Sequence, residues 1–356
     1  MTAPLDLQEQ ISFELRALYE GRGYRRYKMN KFEEYDLYAR NRDFLGDHGA
    51  ITFLDTNGRL MALKPDVTLS IVKNSRDNGA IHKLYYNENV YRVSKSAGTF
   101  RELPQMGLEC LGPIDDFSIC EVLTLALATL RAISPACVLD ISHLGLLSDL
   151  VDAIGIPTDR KEELLRLVGS KNRHEMTALC LECGVSPEAA NRLNAAVSLC
   201  GAPDQVLPQL RDLLAGLIDI ESLDRLLAIT DALDDPTGLR FDFSTVGDLR
   251  YYNGIVFKGF LQGLPGSILS GGQYDRLMEN MGRSGGAIGF ALYLDALALL
   301  EQRTAEYDVD TLLLYSEATP LATITAALRQ LEAEGRSVLV QRKQPEGLRC
   351  RSILTL

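Results

Sequence analysis

Four short stretches of this 356-residue chain carry side chains suited to reading a small zwitterion. An amino acid is recognised by a carboxylate for its ammonium group, a cation or backbone donors for its carboxylate, and polar partners for its side chain inside a closed pocket. Residues 64–68, KPDVT, offer Asp66 and Thr68 where a strand meets a helix. Residues 85–112, YYNENVYRVSKSAGTFRELPQMGLECLG, read as two extended runs around a loop and space Arg92, Arg101, Gln105 and Glu109 to line one pocket. In the second run the alternation Gln105, Gly107, Glu109 turns one side of a strand toward a common cavity. The other two stretches are GDLRYYN at 247–253 and SGGQYD at 270–275. Plainer roles compete at each place. Asp or Thr at a helix start caps backbone N–H groups for about 1 kcal/mol, and Gln and Glu suit the wet face of any hairpin.

The elements that must hold these residues follow from periodicity. Leu7, Ile11, Leu15 and Leu18 recur at helical spacing and end at Gly21 and Gly23. Short extended runs fill 24–63, two of them joined by Thr56-Asn57-Gly58, a hairpin signal. A helix introduced by Pro65 and Asp66 precedes the 85–112 hairpin, and a buried helix over 115–132 and a strand, VLDISHLG, follow it. Residues 145–236 switch to Leu, Glu, Arg and Asp at helical periods, with Gly and Pro between segments, and predict an all-helical insertion whose faces pack or meet solvent. Strand signals return at LRFDFSTV and YYNGIVFKGF, a helix is expected over 287–300, and the last stretch reads as strand, helix, strand.

Composition narrows the classes. Hydrophobic content of 46% fits a folded chain long enough for one large domain and smaller satellites. No apolar run approaches the roughly 20 residues of a membrane span, and the MTAPLDLQEQ start lacks a signal-peptide pattern, so a cytoplasmic protein with no membrane association is expected. A formal charge of −11 argues against a broad nucleic-acid footprint. Seven cysteines make no disulfide framework, and Cys180 and Cys183 share a helix face with no second ligand pair to complete a metal site.

Taken in order, the motifs resemble those of class II aminoacyl-tRNA synthetases in the histidyl version, over roughly 5–300. Residues 85–112 resemble motif 2: Arg92 matches the arginine that contacts substrate carboxylate and α-phosphate, and Gln105 and Glu109 match residues touching histidine. KPDVT is similar to R-P-E-x-T, whose acid and threonine hold the amino group, with Asp66 one methylene shorter. Residues 247–258 line up with R-G-L-D-Y-Y-x-x-T-V-F-E, matching at Tyr251 and Tyr252, while 270–275 and 286–297 resemble motif 3 and supply Tyr274. The resemblance implies an α+β fold, a class II synthetase-like antiparallel sheet flanked by helices. Its core would span 1–144 and 237–304, with the helical insertion at 145–236 and a truncated anticodon-binding-like α/β unit at 305–356. It also implies a histidine-binding set of Asp66, Thr68, Arg92, Gln105, Glu109, Tyr251, Tyr252 and Tyr274.

The departures are as informative. The catalytic arginine of the tyrosine motif falls on Gly247 and its aspartate on Arg250; the G-L-E-R of motif 3 reads Tyr293-Leu294-Asp295-Ala296, and the central proline of motif 1 falls on Asn30. Losing one preorganised group of this kind typically costs about 10² to 10³ in rate, and each charged hydrogen bond is worth about 1.5–3 kcal/mol. A histidine pocket without its adenylation cations, followed by a shortened anticodon module, is similar to the regulatory subunits of ATP phosphoribosyltransferase. That resemblance implies no catalytic residue, no cofactor and no metal. It implies a short-form catalytic subunit as partner in a hetero-octamer, a synthetase-like dimer formed through 24–38, and L-histidine as feedback effector; tRNA is not expected to bind. A divergent histidyl-tRNA synthetase and a free-standing histidine-binding paralogue remain as alternatives.

Overall fold

A computed structural model describes residues 6–41, 49–93, 98–246, 252–301 and 307–356. The chain divides into two compact units, Glu9–Ala296 and a smaller one built on Leu297–Leu356. Twelve described strands belong to the larger unit: β1 Arg25–Arg26, β2 Phe32–Glu34, β3 Thr52–Leu54, β4 Leu60–Leu63, β5 His82–Val93, β6 Phe100–Gly112, β7 Cys137–His143, β8 Cys200–Gly201, β9 Leu239–Asp242, β10 Ile255–Leu261, β11 Leu269–Gln273 and β12 Gly286–Tyr293.

Nine of them form one sheet in the order β1-β5-β6-β12-β11-β10-β7-β9-β8. The five strands from β5 to β10 pair antiparallel, while β1 with β5 and β7 with β9 are parallel. The helix Asp116–Ile133 is among the most buried elements, with Val122, Leu123, Ala126 and Leu130 at or near zero exposure. Its start is fixed by Asp115, whose carboxylate accepts from the Ser118 N–H at 2.8 Å. A cluster of Val67, Leu69, Ile71, Tyr86, Val90, Tyr274, Leu277 and Met278 fills the space between the helices Thr68–Asn74 and Asp275–Asn280 and the sheet. A three-stranded antiparallel sheet, β2-β4-β3, completes that region. Its hairpin turns at Gly58, where φ is +78° and a side chain would be strained.

Helices Leu144–Ala153, Thr158–Gly169, Arg173–Glu182, Pro187–Ser198, Pro203–Leu214 and Glu221–Asp231 fill most of the stretch between β7 and β9, interrupted by β8 at the sheet edge. The smaller unit is a parallel sheet, β14-β13-β15, made of β13 Val309–Leu314, β14 Val338–Gln341 and β15 Cys350–Thr355, with the helix Leu321–Ala333 between β13 and β14. The third strand, β15, goes beyond the strand-helix-strand reading.

One expected element is overturned. Residues 286–293 form β12, and only a 3₁₀ turn, Leu294–Leu297, and a short helix, Ala298–Glu301, follow, where a helix over 287–300 was expected. GAIGFALY lies between β6 and β11 with Ala287, Ile288, Phe290 and Leu292 buried. A central strand covered on both faces loses the polar alternation that marks a strand, and Ala and Leu suit helices equally.

Candidate functional site

Register assembles the site. Gln105, Gly107 and Glu109 of β6 stand opposite Glu88, Tyr86 and Leu84 of β5 on one side, and Tyr293, Ala291 and Gly289 of β12 on the other. On β11, Ser270 is opposite Ala291 and Gly272 opposite Gly289. The floor between the strands is therefore cut from small residues. At Gly289 a Cβ would sit 1.8 Å from Glu109 Oε2 and 2.4 Å from the Leu108 carbonyl; at Gly272 it would meet the Tyr252 ring at 2.7 Å. Only glycine lets Glu109 and Tyr252 lie flat over these two strands.

Glu109 is 2% exposed. Its carboxyl accepts from Thr68 Oγ1 at 2.7 Å and from the Tyr274 hydroxyl. Among the described residues it has no ion-pair partner, and the charge that acts on it is another carboxylate, Asp66. Burial is the main cause that pushes its pKa up to about 8, opposed by the two hydroxyl donors and reinforced by Asp66. Asp66 itself accepts from the Leu69 N–H at 2.9 Å, so the capping role and the pocket role coincide in one residue. Burial raises its pKa, while that hydrogen bond and the Arg92 charge pull it back. Arg92 donates from Nε to the Pro65 carbonyl at 3.0 Å, which ties the hairpin to the start of the Thr68–Asn74 helix.

Gln105 is 3% exposed, and its amide nitrogen finds no acceptor among the described residues. A buried amide donor left unsatisfied costs about 1–3 kcal/mol, and in native proteins such a group usually marks a missing partner. Tyr252 is half-buried and packs against the cluster around Tyr274. Burial raises the pKa of Tyr252 and Tyr86 well above the ordinary phenol value, with Glu109 and Asp66 adding to it. Both therefore remain neutral hydrogen-bonding groups.

The structure thus brings together Asp66, Thr68, Arg92, Gln105, Glu109, Tyr252 and Tyr274. Tyr251, Gly247 and Arg250 lie outside the described residues. Arg101 does not join the pocket: it is exposed at the start of β6 and pairs with Asp295 at 3.6 Å. Sequence reasoning missed Tyr86, Ser270 and Tyr293. Strand alternation through Gly107 and Gly289 held the signal, but the cross-strand partners that complete it are far apart in sequence. Asp275 of the SGGQYD stretch is structural. It accepts from Gln273 Nε2 at 2.6 Å, from Asn253 Nδ2 at 3.3 Å and from the Ala287 N–H at 3.0 Å, pinning β11 to β12 beside Tyr274.

Two carboxyls, one guanidinium and a set of neutral hydroxyl and amide groups suit a small ligand with an ammonium, a carboxylate and a polar ring. The chain matches the family model described as histidyl-tRNA synthetase over residues 5–297. An ATP phosphoribosyltransferase regulatory subunit from Pseudomonas syringae pv. tomato is 30% identical over 80% of this chain and 73% of its own length. Among solved structures, an ATP phosphoribosyltransferase regulatory subunit/histidyl-tRNA synthetase from Bacillus halodurans superposes with a TM-score of 0.78 at 22% identity, covering 100% of this chain and 99% of the other. A chain of the ATP phosphoribosyl transferase (HisG:HisZ) complex from Thermotoga maritima gives 0.65 at 18% identity, covering 82% and 98%. The chain belongs to the histidyl-tRNA synthetase family, in its branch of ATP phosphoribosyltransferase regulatory subunits, and has their class II synthetase-like fold.

Proposed function

We propose that this chain is a non-catalytic subunit of an ATP phosphoribosyltransferase, that it activates a short catalytic chain in the first step of histidine biosynthesis, and that L-histidine bound in the pocket above is its feedback effector. The observation that carries this reading is the pairing of Glu109, buried and without an ion-pair partner among the described residues, with a Gln105 amide that finds no acceptor among them, in a chain whose Gly247 and Ala296 replace the cations of adenylation. The ammonium would lie by Asp66 and Thr68, the carboxylate by Arg92 and Gln105, and the imidazole by Glu109, Tyr252 and Tyr274. Binding there would bias the arrangement of catalytic chains, for which a coupling of about 1–3 kcal/mol suffices.

The assembly we propose is a hetero-octamer with a synthetase-like dimer of this chain at 24–38. Supporting that surface, Phe32 is 51% exposed and stacks edge-on with exposed Phe53 at 5.3 Å, next to exposed Leu54 and Leu60. No helix among the described residues is long and apolar enough to cross a membrane. The test is to mix the purified chain with a short phosphoribosyltransferase chain and assay phosphoribosyl transfer with and without L-histidine. Activation, reversed by histidine, is expected. Histidine-dependent ATP–pyrophosphate exchange by the chain alone would refute the reading and restore a working synthetase; absence of any stimulation would leave a free-standing histidine-binding protein.

A further inference from the structure

Along the face of β12 that looks into the pocket, the residues run Gly289, Ala291, Tyr293, opposite Glu109, Gly107 and Gln105 of β6. The next strand repeats the pattern with Gly272 and Ser270 in the first two rows. Two rows are small and the third is bulky. Tyr293 stands four residues along the strand from Gly289, about 14 Å at 3.4 Å per residue, and side chains reach inward from both ends of that interval. The small rows thus lie between Glu109 and Gln105, and the Tyr293 ring stands at their end.

The surroundings of Tyr293 fix its position. Its N–H donates to the Ile268 carbonyl at 2.8 Å, and its half-buried phenol lies near Ser270 and within the electrostatic influence of Arg92 and Asp66. Ser270 also acts on Tyr252, and the Tyr252 and Tyr293 phenols act on each other, so the two rings converge over Ser270 beside the small rows. Just past the strand, Asp295 pairs with Arg101 at 3.6 Å.

From this arrangement we infer that Tyr293 is a specificity-determining residue: its ring walls off the carboxylate end of the pocket, admitting a free amino acid and rejecting one whose carboxyl carries an extended group such as a nucleotide. The inference rests on the histidine reading above and adds to it the form in which the ligand is accepted. A hydrophobic or aromatic wall discriminates by clash, so the effect falls on the longer ligand while the shorter one is nearly unaffected.

The experiment is calorimetric titration of wild type, Tyr293→Ala, Tyr293→Val and Tyr293→Phe with two probes: L-histidine, and the sulfamoyl-adenosine analogue of histidyl adenylate, which retains an anionic link next to Arg92. Wild type is expected to bind L-histidine and to bind the analogue at least about tenfold more weakly, a gap of 1.4 kcal/mol. Tyr293→Ala should bring the two affinities to within about threefold of each other, below the tenfold step of 1.4 kcal/mol. Tyr293→Val, which keeps strand propensity should the alanine variant fail to fold, carries the same expectation, and Tyr293→Phe keeps the gap. The inference is overturned if wild type binds both probes equally, or if a folded Ala or Val variant still rejects the analogue. A wild-type chain that binds neither probe overturns the histidine reading, and this inference with it.

Discussion

Replacing Glu109 by Gln separates the two functions that the site asks of one carboxyl. Glu109 is buried, receives the Thr68 and Tyr274 hydroxyls, and has its pKa pushed up to about 8 from an ordinary 4.5. The folded state therefore holds a proton that the unfolded chain releases above pH 4.5. The sign follows: between about pH 4.5 and 8 the native state binds more protons than the unfolded state, so stability falls as pH rises, with a slope that approaches 1.4 kcal/mol per pH unit for this one group. Gln reproduces the neutral acid in shape, and either hydroxyl can rotate to accept its N–H, so Glu109→Gln should flatten that slope and be more stable than wild type at pH 8–9. Histidine binding should respond in the opposite sense. A cationic or N–H-bearing ligand ring draws on an ionised acceptor, and a charge-assisted hydrogen bond is worth about 1.5–3 kcal/mol, or a loss of about 10- to 150-fold in affinity. Urea unfolding at pH 5 to 9, together with calorimetric titration of L-histidine at pH 7.5, tests both halves. A variant destabilised equally at every pH would show that Glu109 is ionised in the empty protein. Unchanged histidine affinity would remove it from the site.

Three further outcomes follow from the same geometry. Gly289→Ala places a methyl 1.8 Å from Glu109 Oε2 and 2.4 Å from the Leu108 carbonyl, and should cost about 1–3 kcal/mol in chemical denaturation while weakening histidine binding. Lys64→Met removes the partner of Glu88 in an ion pair whose lysine is 1% exposed; the stranded carboxylate should cost about 3 kcal/mol, and recovery in the double variant Lys64→Met, Glu88→Gln measured by a double-mutant cycle would confirm the pairing. Asp275→Ala strands Gln273, Asn253 and the Ala287 N–H, so thermal unfolding should occur at lower temperature by about 2–4 kcal/mol in stability, with histidine affinity falling because Tyr274 loses its anchored neighbour; intact affinity would count against the coupling.

Chemical identity was legible in the sequence because it resides in local patterns. The spacing of Gln105, Gly107 and Glu109 marks a strand face that looks into a cavity, KPDVT marks a helix entry carrying an acid and a hydroxyl, and Asn57-Gly58 marks a hairpin. The replacements at Gly247 and Ala296 need no coordinates to be seen. What the sequence misjudged was an element whose environment decides its form: Gly286–Tyr293 became a strand because neighbours from 100–112 and 269–273 flank it, and local propensity carries no record of such distant pairing.

Tertiary structure alone decided which polar groups are satisfied and which are left over. Asp275 and Arg101 look as available in the sequence as Glu109 does, yet one is consumed by three donors and the other by Asp295, while Gln105 keeps a buried amide without an acceptor among the described residues. The raised pKa of Glu109 is likewise a product of burial and of Asp66, forty-three residues away, because desolvation and Coulomb energy depend on three-dimensional separation and not on chain order.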